Sequence, residues 1–299
     1  MQQVLRPVLG HCAVVYLDDI LIFSPTAEQH VKDLSKVLQL LRQHNLYANA
    51  DKCTLFTHEI QYLGHIISNK GISVDPAKTA SLQNWPVPSN VTELQSFLGL
   101  CNYFRRFIPG YSEIAAPLTG MTGKNKWHYP LAHEELQAFN TLKNTLIAPP
   151  VLAIPQFDKP FDVVTDASEF ACGAVLLQEG RPVAYMSKKF SSAERNYPTH
   201  DRECLGIVSA YKEWRCYLEG VPSTCHTDHA PLTQLQSQPH ISRRQARWLE
   251  FLASFRPNVV YVQGRINPAD ILSRPPQGSP PAPPDFGQST GGTLVPSAL

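Results

Sequence analysis

Two adjacent carboxylates, Asp18 and Asp19, stand at the only polar point of an apolar run over residues 13–23. Such a run predicts two short buried strands around a turn. Two acids held together at such a turn need water or a bound cation beside them, because burying an unpaired carboxylate costs several kcal/mol. The sequence therefore predicts a divalent-metal site at this turn.

Two further acids, Asp166 and Asp228, each end a predicted strand in the C-terminal half of the chain. The strands are expected over residues 161–165 and 223–227. Strand-terminal acids converge if their strands are neighbours in a sheet, and the active sites of open α/β sheets gather at such ends. The two carboxylates are therefore candidates for one site.

Glu203 lies in the first turn of a predicted helix over about residues 200–218. It heads a stripe that continues through Ile207, Ala210 and Trp214, at spacings that place all of them on one helix face. A Glu at the head of a core-facing stripe needs a partner, because a lone buried charge is costly. Glu203 is therefore a further candidate ligand.

Each of these acids also has a structural interpretation. Asp166 suits an Asx-turn, and Glu203 suits the positive end of its helix dipole. A fourth acid, Asp270, is typical of an N3 residue, because Asn267 and Pro268 precede it as N-cap and N1 residues. Taken singly, Asp270 has the strongest structural interpretation of the four.

Taken together, the four acids favour a hard cation, since carboxylate oxygens without thiolates suit Mg²⁺, with Mn²⁺ as a substitute. Two such ions can activate water and stabilise the leaving oxygen in phosphodiester hydrolysis, which indicates a nuclease. An alternative zinc cluster at His226, Asp228 and His229 has no second ligand set with zinc-finger spacing.

Length and composition predict an intracellular protein of about two domains. The 299 residues carry 26 basic and 25 acidic side chains, so the net charge of +1 leaves nucleic-acid binding to local patches. The seven cysteines form no C-x-x-C pair and are typical of reduced core residues. No signal peptide and no apolar run of membrane-spanning length is apparent, so a cytoplasmic location without membrane association is expected.

Local patterns predict the elements that position these acids. Helices are expected over residues 27–44, from Asn90, through residues 136–146, over 200–218 and through residues 248–255. Strands are expected at residues 54–56, 61–68, 161–165, 172–178, 183–187, 223–227 and 258–262, with a turn at Glu179-Gly180. Residues 275–299 are rich in proline and are expected to be disordered.

Two groups of basic side chains are candidates for contact with a nucleic-acid backbone. Arg105 and Arg106 follow a predicted helix, where they suit either phosphate or the helix dipole. Arg243, Arg244 and Arg247 give another predicted helix a basic face, which suits either a nucleic-acid backbone or solvent. Both interpretations stay open at each position.

An ordered series of motifs over about residues 1–275 resembles the Pol region of Gypsy-type LTR retrotransposons. The motifs are Tyr16 to Ser24, Lys52-Cys53, Leu63-Gly64-His65, Phe97 to Leu100, Asn102-Tyr103, Arg105 to Ile108, Thr165 to Ser168, Thr227-Asp228-His229 and Ala269 to Arg274. A single Y-x-D-D motif is weak, whereas this ordered series is specific.

The resemblance implies an α+β remnant of palm, thumb and connection, followed by an α/β ribonuclease H-like domain with a five-stranded mixed sheet. In order, the implied segments are a truncated reverse-transcriptase palm over residues 1–75, thumb and connection over 76–150, the ribonuclease H-like domain over 151–274 and a tail over 275–299. Leu63, Gly64 and His65 would lie in the primer-grip region and contact nucleic acid.

The resemblance also implies site roles. The metal-binding catalytic acids would be Asp166, Glu203, Asp228 and Asp270, which would hold two Mg²⁺ ions and hydrolyse the RNA strand of RNA:DNA hybrids. Asp18 and Asp19 would be ligands of a polymerase site.

The polymerase site is expected to be incomplete, since the family's third aspartate and its fingers lie upstream of these ligands. We therefore expect no DNA synthesis by this chain alone. Two alternatives stay open: a polymerase active only within a longer product, which in an active element would belong to a virus-like particle, and a catalytically silent nucleic-acid-binding remnant. The sequence does not define an oligomeric state.

Overall fold

The computed structural model describes residues 1–228, 241–262 and 292–293. The chain divides into two compact units, residues 1–69 and residues 70–299. The domain boundaries expected near residues 75, 150 and 275 stay predictions. No helix among the described residues is both long and apolar enough to cross a bilayer.

The first unit begins with the predicted hairpin. Strands β1 (Ala13–Tyr16) and β2 (Asp19–Ile22) pair antiparallel, with Tyr16 opposite Asp19. Leu17 has a φ of 53°, which lets the chain reverse within two residues. The expectation of buried strands is wrong for part of this hairpin, since Val14 and Tyr16 are exposed.

Helix α1 (Ala27–Gln43) follows and packs against this hairpin. The Thr26 side chain accepts a hydrogen bond from the Gln29 backbone N–H and caps the helix as predicted. Val37 and Leu41 join the buried cluster around Leu5. Val37 and Leu41 therefore lie on the face that covers the hairpin, whereas Val31 and Leu38, which share the helical spacing, are exposed.

The rest of the first unit corrects the predicted strands. A one-turn 3-10 helix spans Ala50–Lys52, and residues 54–56 form no strand because Phe56 has a φ of 55°. The expected strand over residues 61–68 is a hairpin of β3 (Glu59–Tyr62) and β4 (His65–Ser68). Its turn residues Leu63 and Gly64 both have positive φ, which a two-residue hairpin turn requires.

The second unit opens with one short strand and a group of helices. Their bounds are β5 (Gly71–Val74), α2 (Pro76–Gln83), α3 (Val91–Tyr103), a 3-10 turn (Arg105–Phe107), α4 (Tyr111–Ile114), α5 (Ala116–Met121) and α6 (His133–Ile147). Asn90 caps α3 by accepting from the Glu93 N–H, as predicted. Phe97, Phe139 and Leu142 lie at the centre of their shared core.

Gly71 provides a stability prediction for this unit. Its φ is 134°, and a Cβ there would lie 2.2 Å from the Leu152 backbone oxygen, so Gly71→Ala forces the two backbone segments apart. We expect a loss of about 2 kcal/mol in the free energy of unfolding, measured by urea titration. Gly99→Ala is the control, because a Cβ at that exposed helical position meets no atom within 4 Å, and it is expected to stabilise α3 slightly. Equal stability of the two variants would contradict the prediction.

A mixed sheet forms the centre of the remaining part of this unit. Its strands are β6 (Phe161–Ala167), β7 (Ala171–Gln178), β8 (Arg181–Lys189), β9 (Ser223–Thr227) and β10 (Asn258–Tyr261). The order is β10-β9-β6-β7-β8, with β6 parallel to β9 and antiparallel to β7. The expected five-stranded mixed sheet is therefore confirmed, as is the turn at Glu179-Gly180, where both residues have positive φ.

A two-residue strand, β11 (Gly292–Thr293), pairs antiparallel with β10. It lies within the segment expected to be disordered, so that expectation is wrong for these two residues. The other residues of that segment lie outside the described ranges.

Four helices belong to the same part of the unit. They are α7 (Ser192–Arg195), α8 (Thr199–Glu213), α9 (Arg215–Leu218) and α10 (Arg243–Ala253). Residues of α8, α9 and α10 pack against one face of the sheet. The expected single helix over residues 200–218 is interrupted at Trp214, which separates α8 from α9. Ile207, Tyr211 and Leu252 pack with β6 and β7 residues in one buried core, which fixes α8 against the central strands.

Candidate metal centre

The pairing of β6 with β9 brings two of the predicted acids together. Val164 on β6 lies opposite His226 on β9 in a parallel register. Asp166 and Asp228 each come two residues later, so they occupy matching positions at the carboxyl ends of neighbouring strands. Asp166 is 9% exposed, and Asp228 is half-buried.

Helix α8 supplies the third acid. Glu203 is 5% exposed, and Ile207, Ala210 and Trp214 on the same face are also buried, which confirms the predicted stripe. The helix lies close to the sheet, since a Cβ at Gly206 would lie 3.4 Å from the Cys172 Cβ. This close approach places the Glu203 carboxyl above the end of β6.

Asp166, Glu203 and Asp228 form a group that could hold a metal ion. One ligand oxygen from each lies within 4.8 Å of the other two. The Glu203 Oε2 atom is buried and has no hydrogen-bond partner among the described residues, which is unfavourable unless a cation compensates its charge. An all-carboxylate donor set fits a hard divalent cation rather than zinc.

The remaining candidate ligands are His226, His229 and Asp270, and only His226 is among the described residues. Among the described residues, His226 is not part of this group, and its Nε2 lies 2.8 Å from Asp162 Oδ1. Asp270 and His229 lie outside the described residues. The role of Asp270 as a fourth acid therefore stays a prediction.

Burial and the neighbouring carboxylates raise the pKa of Glu203 to about 8. Burial is the largest cause, and the charges of Asp228 and Asp166 add to it. A hydrogen bond from the Ala167 backbone N–H and the charge of Arg202 act on this pKa in the opposite direction. The metal-free site therefore holds a proton that a divalent cation would displace.

This pKa predicts an unusual dependence of stability on pH. The unfolded Glu203 carboxyl loses its proton near the ordinary glutamate pKa of 4.5, whereas the folded one keeps it up to about pH 8. The folded state binds more protons in this window, so the metal-free protein should lose stability as pH rises through it, with a slope of at most about 1.4 kcal/mol per pH unit from this group.

Thermal unfolding in EDTA checks this dependence against Glu203→Gln, which cannot ionise. The difference in Tm between wild type and variant should grow between pH 5 and pH 8, with the variant more stable at the higher pH. Addition of Mg²⁺ at pH 8 should reverse the order. Parallel pH profiles for the two proteins would be inconsistent with a raised pKa at Glu203.

The Asx-turn interpretation of Asp166 is wrong, because Asp166 lies within β6 and the following turn is held by Ser168. The Ser168 Oγ accepts from the Phe170 and Ala171 backbone N–H groups at 3.2 Å and 3.1 Å. It also lies 3.0 Å from Glu113 Oε1, a residue 55 positions away. The sequence carries no local signal for that contact, and Glu113 was not among the predicted residues.

The Asp18 and Asp19 carboxylates lie exposed at the β1–β2 turn. Among the described residues, no third acid, histidine or cysteine completes a metal-binding group with them. The Tyr62 Oη lies 3.5 Å from the Asp19 backbone oxygen, which links this turn to the β3–β4 hairpin that carries Leu63 and Gly64. His65 begins β4 and is half-buried. The binding of nucleic acid by this hairpin stays a prediction.

Arg244 differs from its basic neighbours in having several partners within the chain. Its Nη2 donates to Asp201 Oδ2, and its guanidinium carbon lies 3.8 Å from the Tyr197 ring centroid and 5.5 Å from that of Trp248. Asp201 is 3% exposed and also accepts from Gln245 Nε2 at 2.9 Å. Arg244 therefore ties α10 to α8.

The other candidate arginines are more accessible. Arg243 and Arg247 are exposed on α10. Arg105 forms a 2.7 Å ion pair with Glu213, and Arg106 is half-buried with its guanidinium 5.7 Å from the Phe107 ring centroid. Arg243 and Arg247 thus present the more available positive charge, and their contact with nucleic acid stays a prediction.

Comparison with known proteins identifies the two parts of the chain. Residues 1–67 match the family described as "Reverse transcriptase (RNA-dependent DNA polymerase)", and residues 156–255 match "RNase H-like domain found in reverse transcriptase". The "Retrovirus-related Pol polyprotein from transposon 297" of Drosophila melanogaster is 38% identical over 275 residues, covering 92% of this chain and 26% of that protein. The chain belongs to the Pol family of LTR retrotransposons.

Further Pol relatives agree with this membership. The Pol polyprotein from transposon gypsy of Drosophila melanogaster is 37% identical over 287 residues, covering 92% of this chain and 28% of the relative. The transposon Tf2-3 polyprotein of Schizosaccharomyces pombe is 37% identical over 300 residues, covering 95% of this chain and 22% of that protein. This Pol chain thus spans about a quarter of the length of the curated relatives it matches.

Solved structures give the same picture of the fold. A foamy viral protease-reverse transcriptase in complex with double-stranded DNA matches with a TM-score of 0.76 and 25% identity, over 87% of this chain and 47% of that one. A foamy viral protease-reverse transcriptase in complex with an RNA/DNA hybrid matches with a TM-score of 0.74 and 25% identity, over 87% of this chain and 36% of that one. The Pol chain therefore combines a reverse-transcriptase segment with a ribonuclease H-like domain, both of which are enzyme domains.

Proposed function

We propose that this Pol chain hydrolyses the RNA strand of RNA:DNA hybrids in a reaction that depends on a divalent cation. The observation that carries the proposal is the triad of Asp166, Glu203 and Asp228, gathered at the sheet end of a ribonuclease H-like domain. The unpartnered Glu203 oxygen and the raised pKa of Glu203 support a cation at this position.

Each acid has a defined role in this proposal. Asp166 and Asp228 would bind the cation from adjacent strands. Glu203 on α8 would supply a third carboxylate oxygen after losing its proton. Two Mg²⁺ ions, or Mn²⁺ in their place, would supply an activated water and stabilise the leaving oxygen. Asp270 is the proposed fourth ligand.

The proposed substrate is an RNA:DNA hybrid. The related foamy viral enzyme is known in complex with such a hybrid, which supports nucleic acid as the partner here. A hybrid is recognised through its 2′-hydroxyls and groove shape, so little sequence specificity is expected. Arg243 and Arg247 are the proposed contacts to its phosphates.

The choice of substrate is tested with one hybrid duplex labelled on either strand. With Mg²⁺, the full chain should shorten the labelled RNA strand and leave the labelled DNA strand intact. Double-stranded DNA of the same sequence serves as the control and should also stay intact. Cleavage of the DNA strand at a comparable rate would refute the proposed specificity, and binding without cleavage would favour the silent remnant.

A second candidate function is RNA-directed DNA synthesis within a longer product. It is favoured by the match of residues 1–67 to the reverse-transcriptase family and by the exposed Asp18 and Asp19 at the β1–β2 turn. The full-length Pol product should then extend a primer on an RNA template and lose this activity on Asp18→Asn. An unaffected extension rate in that variant would exclude Asp18 from the polymerase site.

A further inference from the structure

Helix α4 contacts the sheet of the ribonuclease H-like domain beside the metal centre. The helix (Tyr111–Ile114) lies outside both regions that match known families. The Ser112 N–H donates to Ser187 Oγ at 2.7 Å, and the Ser112 Oγ donates to the Ser187 backbone oxygen at 2.8 Å. Its neighbour Glu113 accepts from Ser168 Oγ at 3.0 Å. Two adjacent residues of α4 therefore hydrogen-bond to the sheet at two places, Ser187 on β8 and Ser168 after β6.

The register of the sheet shows that both points are connected to Asp166. Asp166 on β6 lies opposite Gly173 on β7, and Gly173 lies opposite Ser187 on β8. The Ser112 contact thus falls on the same cross-strand row as Asp166. Ser168, the other contact, follows Asp166 by two residues. Helix α4 therefore contacts both the cross-strand row that contains Asp166 and the turn that follows Asp166.

The hydrogen bonds at Ser168 indicate what Glu113 contributes. The Ser168 hydroxyl accepts from two backbone N–H groups of the turn, and its single proton has two acceptors at 3.0 Å, Glu113 Oε1 and the Ala171 backbone oxygen. Of these two acceptors, Glu113 Oε1 is the one on α4, so a hydrogen bond to it joins the turn to that helix. With Glu113 present, the hydroxyl donates to Glu113 and the turn is tied to α4. Without Glu113, the hydroxyl donates within its own turn and that tie is lost.

We propose that Glu113 is a positioning residue for the metal centre, acting through Ser168 to hold the β6–β7 turn and Asp166 in the geometry that binds the cation. Glu113 is half-buried, and its distance in sequence from the triad places it outside the ribonuclease H-like match. Residues that hold metal ligands in place typically affect metal affinity or activity by about 10–100-fold. The proposal rests on the proposed ribonuclease H function.

The test compares two variants of the full chain. Glu113→Ala removes the acceptor, and we expect kcat on a labelled hybrid to fall about tenfold, with a matching rise in the Mg²⁺ concentration for half-maximal rate. KM for the hybrid should stay within about twofold. Glu113→Gln keeps an acceptor oxygen in the same place and should retain most of the activity. Glu134→Ala, at an exposed acid on α6, is the matched control and should behave as wild type.

A replacement variant and a metal-binding measurement separate failure of the Glu113 proposal from misfolding and from failure of the proposed function. If Glu113→Ala does not fold, Glu113→Met takes its place, because methionine has similar length and no acceptor oxygen. Titration calorimetry with Mn²⁺ measures metal affinity without activity, so a wild type that binds Mn²⁺ but cleaves nothing would defeat the proposed function while still testing Glu113. A loss of Mn²⁺ affinity in Glu113→Ala with recovery in Glu113→Gln supports the positioning role.

The proposal would be overturned if Glu113→Ala matched wild type in kcat and Mn²⁺ affinity. It would also be overturned if activity fell only in proportion to the unfolded fraction, as judged by a lowered Tm and full recovery on cooling. Failure of Glu113→Gln to recover activity would show that the charge of Glu113, rather than the hydrogen bond to Ser168, is what matters, and would equally refute it.

Discussion

Asp166→Asn is expected to reduce the hybrid-cleavage kcat of the full chain about a thousandfold, which corresponds to about 4 kcal/mol of transition-state stabilisation. The amide keeps the size of the side chain at the end of β6 but withdraws one anionic oxygen from the three that converge within 4.8 Å. The cation would then lose a ligand at the point where charge develops in the reaction. Rates measured at saturating hybrid separate this loss from any effect on binding.

Asp158→Asn is the matched control for that variant. Asp158 is an exposed acid in the same part of the chain, ahead of β6, and its replacement should leave kcat unchanged. Asp166→Asn itself should remain folded, because removing the Asp166 charge relieves its repulsion with the neighbouring carboxyl groups in the absence of metal. If Asp166→Asn cleaved the hybrid at the wild-type rate, the triad could not be the catalytic centre.

Arg244→Ala is expected to destabilise the second unit by about 3 kcal/mol, because it removes the ion-pair partner of a buried carboxylate. Removal of Arg244 leaves the carboxylate of Asp201, which is 3% exposed, with Gln245 as its remaining side-chain donor on α10. The cation–π contact with Tyr197 is lost as well. Urea or thermal unfolding of the full chain measures the effect.

Arg247→Ala is the control for Arg244→Ala, since Arg247 is exposed on the same helix. It should change the unfolding free energy by less than about 0.5 kcal/mol while weakening hybrid binding and flattening its dependence on salt. The reverse pattern, with unchanged stability in Arg244→Ala and a selective loss of hybrid affinity, would place Arg244 in the nucleic-acid interface instead.

Much of the fold followed from local patterns in the sequence. The stripe from Glu203 to Trp214 and the cap at Asn90 both depend on residues within a few positions of one another, and both are found. The convergence of Asp166 and Asp228 required only that their strands be neighbours. Short-range periodicity therefore predicted the helices and strands, and the family resemblance predicted how they are arranged.

The errors arose where distant contacts or backbone conformation decide the outcome. Leu63 has the pattern of a strand residue but has a positive φ, because the following Gly64 allows a tight turn. Arg244 has the pattern of a surface cation, yet its partner Asp201 lies 43 residues away. Glu113 was missed for the same reason, since no pattern near it points to Ser168.

The most direct measurement is the initial rate of RNA-strand hydrolysis in an RNA:DNA hybrid by the full chain, with Mg²⁺ and with EDTA. We predict shortened RNA products in Mg²⁺ and an intact strand in EDTA, because the Asp166, Glu203 and Asp228 oxygens act only with a bound cation. An intact RNA strand in Mg²⁺, in a sample whose thermal unfolding shows that the second unit is folded, would contradict the account.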